Sequence, residues 1–118
     1  MKKNPKIFLE HILESIRLIE EYSKDKTKDD FRESFPLQDM IIRRLEIIGE
    51  AVKNLPQELK DNNTNVQWKR IAGMRDKLIH EYNFGIDIDF TWGVVEKEIP
   101  ILKERILKIL ESIKDDFK

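Results

Sequence analysis

The sequence predicts an all-α protein, an antiparallel bundle of four main helices plus one or two short ones, in a single domain over residues 1–118. Three observations predict it. Apolar residues recur at three- and four-residue spacing along segments long enough to be helices. Prolines and polar runs separate most of those segments. No segment alternates long enough to read as a strand: Ile86-Asp87-Ile88-Asp89-Phe90 is short, and its aspartates read as helix caps. A chain of 118 residues suits one core of several helices.

The first helix is expected to start at Pro5, which suits a first turn, and to run to about Ser23. Leu9, Ile12, Leu13, Ile16 and Ile19 make its apolar stripe. His11 lies on it and reads as a surface histidine, because no second His or Cys accompanies it as a metal ligand. Ser23 to Lys28 is a polar loop. Thr27 with Asp30 resembles a capping box opening a short helix that carries Phe31. Another helix begins near Pro36 or Leu37 and ends before Pro56, with Ile41, Leu45, Ile48, Val52 and Leu55 on its core face. Its far side presents Arg43, Glu46, Glu50 and Lys53, where the two cations offset the Glu46–Glu50 repulsion. Gln57 to Asn65 reads as a polar linker with at most one helical turn.

A helix is then expected from near Asn65 to Tyr82, capped by Thr64 or Asn65. Trp68 reads as a core or interface anchor. Helical phase places Ile71, Met74, Leu78 and Tyr82 on the core stripe, and Gly73, Asp76 and His80 opposite. Asp76 and His80 are spaced i, i+4, so a carboxylate would favour the charged imidazole. Arg75 falls about 140° around the helix from His80. That split is relieved if two chains combine their residues. Beyond Tyr82, Asn83 and Gly85 suit a helix end, and Asp87 or Asp89 caps the last helix. Val95, Ile99, Leu102, Ile106, Leu110 and Ile113 form its stripe, and Pro100 should kink or split it.

Charge is abundant but balanced, with 22 Lys and Arg against 23 Asp and Glu. A nucleic-acid-binding field must therefore be local. The segment from Val66 to Tyr82 is mildly basic through Lys69, Arg70, Arg75 and Lys77. The absence of cysteine excludes disulfides, cysteine-based zinc sites and thiol catalysis. No signal-type apolar run opens the chain and no stretch approaches transmembrane length, so a cytoplasmic protein without a membrane partner is the expectation.

The pattern Arg75-x4-His80-x-Tyr82 resembles the signature of the HepT-like branch of the HEPN ribonucleases. Ile42-Arg43-Arg44-Leu45-Glu46-Ile47-Ile48-Gly49-Glu50-Ala51 resembles that family's arginine–leucine–glutamate–isoleucine–glycine–glutamate–alanine helix. Trp68 to Met74 resembles the lead-in to the signature, and Gly85-Ile86-Asp87 with Trp92 resembles the family's segment downstream of it. The resemblance covers nearly the whole chain in order. One departure is Asn83, which separates Tyr82 from Phe84-Gly85 where the family pattern sets the aromatic–glycine pair directly after the tyrosine.

The resemblance implies a metal-independent endoribonuclease, active as a homodimer with a shared site and needing no cofactor. RNA supplies its own nucleophile, the 2′-hydroxyl. His80 suits proton transfer near neutrality as general acid/base. Arg75 is always charged, and its planar fork matches phosphate oxygens. Asp76 is a supporting residue that would orient His80. Lys69, Arg70, Lys77 and Arg43 are candidate RNA contacts. The resemblance further implies the toxin half of a toxin–antitoxin pair. Its partner would be a nucleotidyltransferase antitoxin of the MntA type that adenylylates Tyr82, and the added phosphate ester would block the site with negative charge. The alternative is a helical dimerisation or nucleotide-binding module without catalysis, regulated by a nucleotidyltransferase.

Overall fold

The computed structural model describes residues 4–80 and 85–116, and only the backbone of Arg75, Ile79, His80 and residues 114–116. The fold is all-α. Helix α1 spans Pro5–Ser23, the bounds expected from its stripe, and the Asn4 side chain accepts from the Lys6 amide at its start. Helix α2 spans Lys28–Glu33. Thr27 and Asp30 form the expected capping box: the Asp30 amide donates to Thr27 Oγ1 at 3.1 Å, and the Thr27 amide to Asp30 at 2.8 Å. The Thr27 amide bond, and then the Thr27 hydroxyl, hold the Asp30 carboxyl below the usual carboxylate range. Helix α3 spans Phe35–Lys53, with Ser34 both closing α2 and capping α3. Buried Gln38 donates to the Phe31 and Arg32 carbonyls, satisfying the end of α2 from inside the protein. The linker contains one helical turn, α4 (Gln57–Asp61).

The expected helix from Asn65 to Tyr82 is not continuous. Helix α5 covers only Trp68–Ala72, and Gln67, without a side-chain cap, precedes it in place of Thr64 or Asn65. Gly73 closes α5, and a second short helix, α6, spans Arg75–Leu78. The chain then turns extended as β1 (Ile79–His80), antiparallel to β2 (Gly85–Ile86), with Ile79 opposite Ile86 and His80 opposite Gly85. Two causes act together. Glycine is a poor helix former, about 1 kcal/mol worse than alanine, and here it ends a helix instead of sitting within one. The Leu78 carbonyl is taken by the Asp87 amide at 2.9 Å, a tertiary bond that draws the chain into the hairpin. Tyr82 and Asn83 lie outside the described residues.

Asp87 caps α7 (Ile88–Gly93), accepting from the Phe90 amide at 3.0 Å. A π-helical turn over Val94–Glu98 leads into α8 (Ile99–Asp116), and the Ile99 amide reaches back to the Val94 carbonyl. The split expected at Pro100 is thus found just upstream of it. A proline ring clashes with the carbonyl four residues before it, and the wider turn relieves that crowding.

Helices α3 and α8 each run antiparallel to α1. Glu20 near the end of α1 meets Lys103 near the start of α8, while Pro5 and Ile113 line one groove at the opposite end. Likewise Tyr22 lies beside Leu37 and Met40, and Phe8 beside Gly49 and Ala51. One hydrophobic cluster runs through the molecule and includes Leu9, Ile16, Phe31, Ile41, Ile48, Leu78, Trp92 and Ile106. Trp68 is part of it, and its indole donates to the Asn63 carbonyl at 3.0 Å. Gly49 sits where α5 crosses α3: a Cβ there would lie 3.3 Å from the Ile71 carbonyl oxygen and 3.5 Å from that of Ala72. The approach of a second helix's backbone is thus at Gly49, whereas a Cβ at Gly73 would lie 3.3 Å from the Lys69 carbonyl oxygen of the preceding turn.

Fully buried Thr91 on α7 has a hydroxyl with no hydrogen-bond partner among the described residues. A buried unsatisfied polar group costs about 1–3 kcal/mol. Thr91→Val keeps the branched shape and removes the hydroxyl, so stability should rise by ~1 kcal/mol. A urea titration measures this, and a lower unfolding midpoint in the variant would show that the hydroxyl has a role in the folded state.

Candidate active site

Arg75 and His80 lie on successive short elements, the first residue of α6 and the last of β1. Helical phase therefore does not measure their relation. The 140° separation expected from a continuous helix does not apply, and neither does the i, i+4 meeting of Asp76 with His80. Asp76 is exposed on α6, but the chain has left the helix before His80 is reached. The same correction removes the geometric motive for sharing the site between two chains. What the backbone brings together is a tight corner: α6 runs directly into β1, β2 lies alongside, and α7 begins after Asp87. Helix α6 also packs against α3 and α7. Leu78 anchors it in the core, with Met74 buried just before its start, as their stripe positions foretell.

Among the candidate RNA contacts, Lys69, Lys77 and Arg43 are exposed. Arg70 is engaged within the chain. Its guanidinium donates to both carboxylate oxygens of Glu98, at 2.9 and 2.8 Å, and lies 5.8 Å from the centre of the Phe90 ring. The Glu98 bond, and then its charge, raise the Arg70 pKa further above its ordinary value. A phosphate would have to displace a bidentate carboxylate there. The 28-residue separation of this pair gives no sign of it in the sequence.

The polar side of α3 forms one wall of a groove of about 420 Å³, to which Arg43, Glu46, Glu50 and Lys53 contribute. His11 from α1 and Ala72 from α5 line it too, so the groove reaches within three residues of Arg75. Within it Lys53 pairs with Glu50 at 3.5 Å. His11 is exposed, in keeping with its reading as a surface histidine, but the groove it lines was not readable from one helix alone.

Helix α7 is held from three sides. Its Trp92 ring lies 5.3 Å from that of Phe31, its Phe90 sits under Arg70, and its Asp89 pairs with Lys28 at 3.0 Å. The Lys28 bond holds the Asp89 carboxyl below its usual range, with a smaller contribution from Arg32. Because the folded-state value is lowered, the pairing is present above the ordinary carboxylate pKa and is lost as pH falls through the lowered value. The pair is exposed, so its contribution is small. Among the described residues no helix is long and apolar enough to cross a membrane.

A family model described as ribonuclease HepT-like matches residues 12–109, a span that holds both the corner and the α3 face. A gamma-glutamylcyclotransferase and putative RNase of Methanocaldococcus jannaschii is 60% identical over 113 residues, which cover 96% of this chain and 50% of that protein. The chain therefore spans about half the length of that relative. A putative RNase of Caldanaerobacter subterraneus subsp. tengcongensis is 46% identical, covering 95% of this chain and 99% of its own. A probable ribonuclease HepT of Thermococcus cleftensis is 44% identical, covering 92% and 98%. No solved structure matches the chain at a significant level. With the family model covering most of the sequence, Arg75 and His80 included, the chain belongs to the HepT-like ribonuclease family.

Proposed function

We propose that the protein is a metal-independent endoribonuclease toxin whose reaction centres on His80 and Arg75. The observation that carries this is family membership across a segment that includes both residues, in a chain whose backbone sets them on adjoining elements at one corner. The 2′-hydroxyl of RNA attacks the adjacent phosphorus and the 5′-oxygen leaves, giving a 2′,3′-cyclic phosphate. One proton must leave the nucleophile and one must reach the leaving oxygen. His80 serves as general acid/base. Arg75 stabilises the charge that develops on the phosphorane oxygens. In a homodimer with a shared cleft, a second copy of His80 supplies the other proton carrier. The dimer rests on the family resemblance alone, since the broken path removes the helical-phase argument for a second chain.

Control of the enzyme belongs to the same proposal. A nucleotidyltransferase antitoxin transfers adenylate from ATP to the Tyr82 hydroxyl, releasing pyrophosphate and leaving a negative phosphodiester two residues from His80. That charge competes with substrate phosphate for Arg75. Exposed Lys69, Lys77 and Arg43 supply the local attraction for RNA, whereas Arg70 contributes only if Glu98 releases it. Asp76 stays a supporting residue, though helical spacing no longer ties it to His80.

The test uses protein expressed alone, with intact mass confirming unmodified Tyr82. RNA cleavage should persist in excess chelator and disappear after incubation with the nucleotidyltransferase and ATP. Tyr82→Phe should stay active through that incubation. Cleavage that needs added metal would overturn the metal-independent mechanism. Unmodified protein without any cleavage would favour the non-catalytic module, a reading consistent with the balanced net charge and the engaged Arg70.

A further inference from the structure

We propose that Asp87 is a positioning residue for RNA cleavage, the joint that fixes the His80 corner against α7. This inference rests on the catalytic reading above. Three bonds to described residues meet at Asp87. Its amide donates to the Leu78 carbonyl at 2.9 Å, two residues before His80. Its carboxylate accepts from the Phe90 amide at 3.0 Å, and its carbonyl accepts from the Thr91 amide at 2.9 Å. One residue thus belongs to the hairpin on its amide side and to α7 on its acceptor side.

The two sides differ in how firmly they are held. Helix α7 is a fixed platform: Trp92 packs on Phe31, Phe90 lies under the Arg70–Glu98 pair, and Asp89 meets Lys28. On the other side, the strands β1 and β2 pair only with each other among the described residues, and a two-stranded pairing is marginally stable at best by itself. The backbone of His80 therefore takes its place from Asp87, through Leu78 on one side and through Gly85, two residues before Asp87, on the other. A catalytic group displaced by about 1 Å can lose on the order of 100-fold in rate. The side-chain cap is what holds the start of α7 and the Asp87 backbone in one geometry. Losing the cap frees the joint while leaving the core contacts of α7 in place.

The test compares Asp87→Ala, which removes the cap, with Asp87→Asn, which keeps an equivalent acceptor. Asn4→Ala removes the α1 cap and serves as a control for the general cost of losing one. On an RNA oligonucleotide, Asp87→Ala should lower kcat at least ~10-fold with little change in KM. Asp87→Asn should stay within about threefold of wild type, since Asn caps as well as Asp. Asn4→Ala should lose comparable thermal stability and keep its kcat. Amide exchange gives a readout independent of activity: residues 78–80 and 85–87 should exchange faster in Asp87→Ala and not in Asn4→Ala.

A wild-type kcat in Asp87→Ala overturns the inference. So does an Asp87→Asn variant as slow as Asp87→Ala, which would make the carboxylate charge itself the requirement. Cleavage that needs His80 but not Asp87 defeats this inference and leaves the catalytic reading standing. Absence of cleavage by wild type defeats the catalytic reading, and with it any catalytic role for Asp87, whatever the exchange data show of the joint.

Discussion

His80→Ala should abolish RNA cleavage while the protein stays folded. A positioned general acid/base contributes about 10²–10⁴-fold, so the residual rate should fall below detection in an ordinary gel assay. The backbone pairing of His80 with Gly85 needs no particular side chain, so alanine leaves the hairpin register available. The measurement is cleavage by purified wild type and variant side by side, each with intact mass and circular dichroism. Cleavage by His80→Ala at the wild-type rate would remove His80 from the mechanism and the endoribonuclease proposal with it. Asp76→Asn gives a useful contrast. Asp76 is exposed and its i, i+4 relation to His80 does not exist in the folded chain, so its effect should be far smaller than that of His80. An Asp76→Asn loss as large as that of His80→Ala would mean that the carboxylate reaches the reaction by a route other than helical spacing.

The largest effect on stability is expected from Phe31→Ala. Phe31 is fully buried, and its ring lies 5.3 Å from that of Trp92 at a 31° tilt. Truncating a buried phenylalanine costs about 3–5 kcal/mol, from lost transfer energy and the cavity left behind. Aromatic pairs of this kind add about 0.5–1.5 kcal/mol beyond area burial. Domains of this size are stable by about 5–15 kcal/mol in total, so the variant approaches the limit of folding. The unfolding midpoint should drop by roughly 10–20 °C in a thermal melt. Phe31→Leu, which refills most of the volume, should lose less than half as much. A drop of only a few degrees in Phe31→Ala would show that α2 is not a structural part of the core. The expectation also bears on the site, because Phe31 is one of the three holds on α7, and α7 carries the joint to His80.

Much of the fold was legible in the sequence because it depends on interactions between near neighbours. The stripe of α1, the Pro5 start, the Thr27–Asp30 box, the cap at Asp87 and the disturbance near Pro100 all involve residues within a few positions of one another. Helical periodicity also placed Leu78 and Met74 in the core. The candidate site was legible as residue types and as a family pattern, but its shape was not. The stretch from Asn65 to Tyr82 carries a good helical stripe, and that stripe is satisfied by a broken path instead: five residues of α5, four of α6, then an extended pair.

The difference has a physical cause. Periodicity reports which side chains seek the core, and both a continuous helix and two short ones can bury Ile71, Met74 and Leu78. What selects between them lies far along the chain. The Asp87 amide captures the Leu78 carbonyl, α3 admits the Ile71–Ala72 backbone because Gly49 has no side chain, and Glu98 binds Arg70 across 28 positions. By itself the sequence determined the all-helical class, the start of α1, and the caps of α2 and α7. The tertiary structure alone decided that Arg75 and His80 lie on successive short elements and not on one helix, because the bonds that turn the chain there join residues with no local relation.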